Sequence, residues 1–142
     1  MRLTLIVPRL TFFLHAHLSG RYWVTLDSIA LGSTTATTSS LPVVLDSGAT
    51  LCYLPQDVHD AIGTSFPTAR LDSSSNYYIV DCGVKNQTGT VDFTFGQKTI
   101  KVPYADFVWD YTDTECVVGT QPSSCEYFFF LDRLLNLKTS LR

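Results

Sequence analysis

The sequence predicts an all-β domain with one or two short helices. Apolar and polar residues alternate in runs such as Val91-Asp92-Phe93-Thr94-Phe95, the period of a strand with one buried face. Thr, Ser, Val, Tyr and Phe crowd the middle of the chain, a composition suited to a pleated, half-buried surface. There is no long helical period and no internal repeat. At 142 residues the chain is one domain by size, and 45% hydrophobic residues with 13% aromatics suffice for a core. Only 16% of residues are charged, the net charge is −3 and no basic patch occurs, which argues against nucleic acid as a partner.

Residues 1–20 stand apart. Leu3 to Val7 and Leu10 to Leu14 are apolar behind Arg2, as in part of a signal peptide, but Pro8 and Arg9 interrupt the run and no small-x-small cleavage site follows. The alternative is a wrongly placed or truncated beginning of a longer chain. The run is too short to span a membrane. Tyr22 to Leu31 reads as a strand in which Tyr22, Val24 and Leu26 share one face while Ile29 and Leu31 lie on the other. That phase slip near Asp27-Ser28 predicts a bulge or a sharp twist. Gly32 to Ser40 is polar and low in complexity, a hairpin loop.

The chain then turns about one carboxylate. Val43-Val44-Leu45 ends in Asp46, Ser47-Gly48-Ala49-Thr50 turns, and Leu51-Cys52-Tyr53-Leu54 runs apolar until Pro55 stops it. This pattern predicts a buried strand, a loop and a second buried strand. Gly48 lets backbone pass close to the carboxylate because it has no Cβ. Asp-Ser-Gly by itself is a common turn, so the flanking apolar runs carry the reading.

Pro55 suits the first turn of a helix, with Val58, Ala61 and Ile62 as its apolar stripe and Gly63 as its end. His59 falls off that stripe and is expected to face solvent. His15 and His17 have the spacing of a strand-face pair without a third ligand nearby, so they read as non-functional. Leu71 to Asn76 reads as a loop and Tyr77 to Cys82 as a strand. Val91 to Phe95 pairs with Ile100 and Val102 across a Gly96-Gln97 turn, and Pro103 ends the hairpin. Ala105 to Trp109 is a short apolar segment, and Cys116 to Gly119 a further strand.

Four cysteines occur, Cys52, Cys82, Cys116 and Cys125, none in a C-x-x-C pair, so no metal is expected. Their even number among few charges fits a secreted, disulfide-bearing protein. Asn86-Gln87-Thr88 is an N-glycosylation acceptor, meaningful only if the chain is secreted.

The segment Leu45-Asp46-Ser47-Gly48-Ala49-Thr50, with the Tyr53-Leu54-Pro55 tail, resembles the active-site loop in the C-terminal lobe of pepsin-like aspartic proteases. The resemblance runs from about Arg21 to Gln121. It includes the Tyr22-Trp23 strand, Asp81-Cys82, the Val91 to Gly96 hairpin, Val102 to Phe107, and the strand at Cys116. It is strongest toward the secreted or cell-surface fungal branch. It implies one lobe of the bilobal acid-protease fold over residues 21–142, a disulfide between Cys82 and Cys116, and an extracellular or cell-surface location. Asp46 would be catalytic, and Ser47, Gly48, Ala49 and Thr50 would form the loop and substrate wall. Ser47 would bond across to a matching loop, Gly48 would offer an N–H near the aspartates, and Thr50 would contact substrate backbone. The substrate would be an extended peptide or protein with apolar side chains near the cut, hydrolysed in acid without a cofactor. Cys52 and Cys125 lie outside the family pattern and would be a second bridge, two thiols or accidents.

Two departures stand against the match. Aspartic proteolysis needs two carboxylates, yet of eleven aspartates only Asp46 sits in an Asp-Ser/Thr-Gly loop. The other carboxylate would come from an N-terminal lobe, or from a second copy in a two-fold homodimer as in retroviral proteases. The sequence supplies no interface strands or flap for such a dimer. Second, the family's Ile-Leu-Gly-Asp strand, which passes between the arms of the active-site loop, is replaced after about Ser124 by Tyr127-Phe128-Phe129-Phe130-Leu131-Asp132 without the glycine. The final strands are expected to be altered or missing, although Tyr127 to Leu131 still has the composition of a strand. The competing reading is a non-catalytic β-domain, either a relic or a peptide-binding module.

Overall fold

The strand expected over Tyr22 to Leu31 is two strands in two different sheets. β3 (Tyr22–Leu26) and β4 (Ser28–Leu31) meet at Asp27, whose N–H donates to Thr94 O (2.8 Å) and whose carboxylate accepts from Gly96 N. The phase slip in the sequence is this corner, with a separate bulge between Ile29 and Ala30 where β4 pairs with its other neighbour. The computed structural model describes residues 3–7, 10–16, 22–37, 39–46, 48–123 and 128–130, of which 3–7, 10–16, 22 and 128–130 are described by their backbone alone.

Residues 1–20, set apart in the sequence, contribute β1 (Leu3–Val7) and β2 (Leu10–Ala16), an antiparallel pair that continues onto β3. Gly32 to Ser40, expected as a loop, is a loop only in part. Gly32 (φ +57°) and Ser33 make the turn, and β-branched threonines then form β5 (Thr34–Thr37) on β4. β6 (Leu41–Asp46) and β7 (Cys52–Leu54) flank the Asp46 loop as expected. α1 (Gln56–Ser65) follows with Pro55 as its N-cap.

β8 (Arg70–Asp72) and β9 (Tyr77–Asp81) form a hairpin where a loop and a strand were expected, because the chain can reverse at Asn76 with φ +58°. The β9 strand stops at Asp81, and Cys82–Asn86 is a 3-10 helix capped by the Asp81 carboxylate. β10 (Thr90–Phe95) and β11 (Lys98–Pro103) form the expected hairpin. The short apolar segment is a helical turn, α2 (Tyr104–Phe107), leading into β12 (Val108–Asp110). β13 (Glu115–Val118), β14 (Thr120–Pro122) and β15 (Phe128–Phe130) complete the order.

The strands form three sheets: β1-β2-β3-β6-β15-β7-β14, β11-β10-β4-β5 and β12-β13-β9-β8. The fold is all-β with two short helices. Their apolar faces meet in one core built from Leu26, Ile29, Val43, Leu54, Val91 and Phe93, with Phe107 stacked on Phe66 and tilted against Phe93. Cys82 and Cys116 are joined, as the resemblance implied, with Cα atoms 5.0 Å apart.

Two expectations for α1 fail for one reason. His59 is fully buried, not solvent-facing, and Gly63 lies inside the helix, not at its end. β9 and β14 cover α1 on a second side that the stripe of Val58 and Ile62 does not reveal. A Cβ at Gly63 would stand 2.1 Å from Tyr78 Cδ2, so the glycine is there to admit the ring.

Candidate active site

Asp46 is the last residue of β6, half-buried, at the mouth of the loop that links β6 to β7. Its Oδ1 accepts from Gly48 N (2.8 Å), and its carbonyl accepts from Ala49 N (3.3 Å). The carboxylate is thus oriented by its own loop. A Cβ at Gly48 would come 3.3 Å from Oδ1, tight enough to press on that hydrogen bond. Gly48 and Thr50 are exposed and Ala49 is half-buried, so the loop presents an open face. Ser47 lies outside the described residues. Among the described residues no second carboxylate shares a hydrogen bond with Asp46.

The loop's arms are fixed by two strands that the sequence places far away. β15 runs parallel to β6, with Phe130 opposite Asp46, and pairs with β7 through Phe128 and Tyr53. It therefore passes between the arms without the expected glycine, because three consecutive phenylalanines supply the β-propensity for a strand there. β14 runs parallel to β7 on its other edge, with Thr120 opposite Cys52. Cys52 N donates to Gly119 O (2.9 Å) and Ser123 N to Leu54 O (2.8 Å). Cys52 is buried in this pairing, while Cys125 lies outside the described residues.

Behind β7, His59 Nδ1 is 2.9 Å from Thr120 Oγ1, both residues fully buried. Burial holds the His59 ring below its ordinary pKa, outweighing the neighbouring Asp60 carboxylate and the Asn76 backbone, which favour the charge. The sequence placed His59 in solvent and Gly119 at a strand end and did not mark Thr120, since the role of each depends on a contact between elements about sixty residues apart.

Asn86, Gln87 and Thr88 are all exposed at the end of the 3-10 helix. Cys82, Cys116 and Asp110 bring three ligand-type atoms within 4.8 Å, but the two sulfurs are bonded to each other and Asp110 pairs with Lys85 (2.8 Å). Among the described residues, no helix is long and apolar enough to cross a membrane.

A family model described as eukaryotic aspartyl protease matches residues 10–135. The chain is 34% identical over 115 residues to Secreted aspartic protease 9 of Candida albicans, covering 79% of this chain and 21% of that protein. It is 33% identical over 117 residues to the Acid protease of Saccharomycopsis fibuligera, covering 80% of this chain and 29% of that protein. It is 37% identical over 106 residues to Aspartic proteinase 3 of Saccharomyces cerevisiae, covering 71% and 18%. The chain thus spans 18–29% of the length of these relatives.

Proposed function

The chain belongs to the eukaryotic aspartyl protease family, and from that premise we propose that it is the C-terminal half-domain of an acid endopeptidase, contributing Asp46 as one of two catalytic aspartates. The observation that carries this reading is the Asp46 carboxylate held by Gly48 N–H in an open loop whose arms are separated by β15.

The chemistry needs a coupled carboxylate pair sharing one proton, for which aspartic proteases are the standard example. The ionised member takes a proton from water as its oxygen attacks the peptide carbonyl carbon. The protonated member gives its proton to the carbonyl oxygen, and a tetrahedral diol forms. Collapse of the diol breaks the C–N bond as the amine takes up a proton. Asp46 is one member; the other belongs to an N-terminal lobe or to Asp46 of a second copy. Gly48 N–H keeps the Asp46 carboxylate aimed, and exposed Thr50 meets the backbone of an extended, apolar peptide.

Two assays test the reading at acid pH: the purified chain alone, and the chain combined with the N-terminal half of a related fungal aspartic protease. Cleavage in either format, lost in Asp46→Asn, is the expected result. Cleavage that survives Asp46→Asn overturns the role of Asp46. A folded chain inert in both formats favours the non-catalytic β-domain, a reading motivated by the single Asp-Ser-Gly loop among eleven aspartates.

Extracellular or cell-surface location is part of the proposal, and Asn86 reports on it. Expressed through a yeast secretory pathway, the chain should carry a glycan at this exposed site. The endoglycosidase-sensitive gel shift should vanish in Asn86→Gln. A secreted wild-type chain without that shift would remove Asn86 from the modified residues.

A further inference from the structure

β14 is the edge of the seven-stranded sheet, and its backbone pairs only with β7 among the described residues. β7 is the outgoing arm of the Asp46 loop and runs through Pro55 directly into α1. The His59–Thr120 hydrogen bond therefore closes a triangle: β7 to α1 by covalent chain, α1 to β14 by a buried side-chain pair, β14 back to β7 by the strand ladder. We propose that His59 is a positioning residue for the Asp46 loop: neutral, its ring ties Thr120 to α1 and so fixes β7; protonated, it lets that arm go.

The surroundings of the ring give the direction. From β14 it meets the Thr120 hydroxyl, from β9 the Tyr78 ring at 5.1 Å, and from the turn before β9 the Asn76 backbone. On its own helix it meets Asp60, whose Oδ1 already accepts from Gln56 Nε2 (2.9 Å) and Tyr78 Oη (3.0 Å). Burial outweighs what Asp60 and Asn76 offer an imidazolium. The ring's Nε2 is buried without a hydrogen-bond partner, so a charged ring carries an unpaired N–H there and gains solvation by moving toward water, which weakens its hold on Thr120.

The sign follows from linkage. An unfolded chain binds the histidine proton near the ordinary value of 6.5, and the folded chain binds it only at lower pH. Stability owed to the neutral ring is complete above that value and falls as pH drops toward the lowered folded value. The folding equilibrium changes by up to about tenfold per pH unit across that interval. The arm stays pinned in mild acid and loosens in stronger acid. For the reading of Asp46 given above, on which this functional consequence rests, His59 sets the acid-side limit of the window in which the loop is ordered.

Amide hydrogen exchange on the full 142-residue chain from pH 7.5 down to pH 4 tests this, together with NMR titration of the His59 ring. Cys52 and Ser123 N–H groups report the β7–β14 seam, and Val91 and Phe93 N–H groups on β10 report the β11-β10-β4-β5 sheet. After correction for intrinsic exchange, Cys52 and Ser123 should lose tenfold or more protection on acidification, with the midpoint of the His59 titration, while β10 changes less. In His59→Gln the seam should show no such pH dependence. In Thr120→Val its protection should be lower at every pH. Parallel loss in wild type and His59→Gln overturns the proposal, as does equal loss on β10. If His59→Gln does not fold, a mismatch between the wild-type exchange midpoint and the ring titration overturns it as well. No peptide is cleaved in this experiment, so its result is independent of whether Asp46 is catalytic.

Discussion

Replacing Gly119 with alanine is expected to lower the melting temperature by about 10 °C and to strip protection from the Cys52 amide. Gly119 joins β13 to β14 and is buried. A Cβ there would stand 2.3 Å from the Phe107 carbonyl oxygen, a backbone atom at the end of α2 that cannot swing aside. Overpacking of this kind costs about 1–3 kcal/mol. Displacing Gly119 also strains its carbonyl bond from Cys52 N, worth about 1 kcal/mol. A total of about 3 kcal/mol in a domain of this size corresponds to about 10 °C. Gly32→Ala is the control. Its Cβ meets nothing within 4 Å, so only the positive φ of +57° is penalised, about 1 kcal/mol. Differential scanning calorimetry of the two variants decides: equal shifts would mean that the β13–β14 corner does not pack on α2.

The sequence disclosed what short-range patterns encode. Alternation at Val91, Phe93 and Phe95 produced β10 because those residues fill the core while Asp92 and Thr94 remain half-exposed. The run ending at Asp46 and the run starting near Cys52 became β6 and β7 because both flank a sharp polar turn. Contacts between distant elements stayed hidden. The slip at Asp27 looked like a bulge because a strand that changes sheets and one that kinks share the same local phase error. Gly63 looked like a helix end because composition cannot tell a C-cap glycine from one that admits a ring, and the ring, Tyr78, lies on another strand. His59 looked exposed because one apolar stripe implies one buried face, whereas α1 is covered on two. At the site itself, Asp46 and Gly48 were readable because their hydrogen bond spans two residues. The supports of the loop were less so: β15 rests on a family likeness whose glycine is absent, and β14 on a parallel pairing that no turn announces.

Removing the Cys82–Cys116 disulfide should cost about as much as Gly119→Ala, by a different route. The bridge closes a segment of 34 residues containing the β10–β11 hairpin, α2 and β12. In the chain-entropy account, closing a loop of that length is worth about 3–4 kcal/mol, nearly all of it through restriction of the unfolded chain. The native pairing does not need the bridge for its register: Val80 already faces Cys116, and Asp81 faces Glu115, across the β9–β13 ladder. The double variant Cys82→Ala/Cys116→Ala should therefore keep the wild-type amide pattern on β9 and β13 at low temperature, yet melt about 10 °C lower. A reductant should lower the wild-type melting temperature to the same degree and leave the variant unchanged. If the variant instead loses the β9–β13 ladder in its folded state, the bridge holds the native sheet together and the stabilisation lies in the folded chain. If it melts with wild type, the closed segment retains its compactness when unfolded, and the entropy of closure is already spent there.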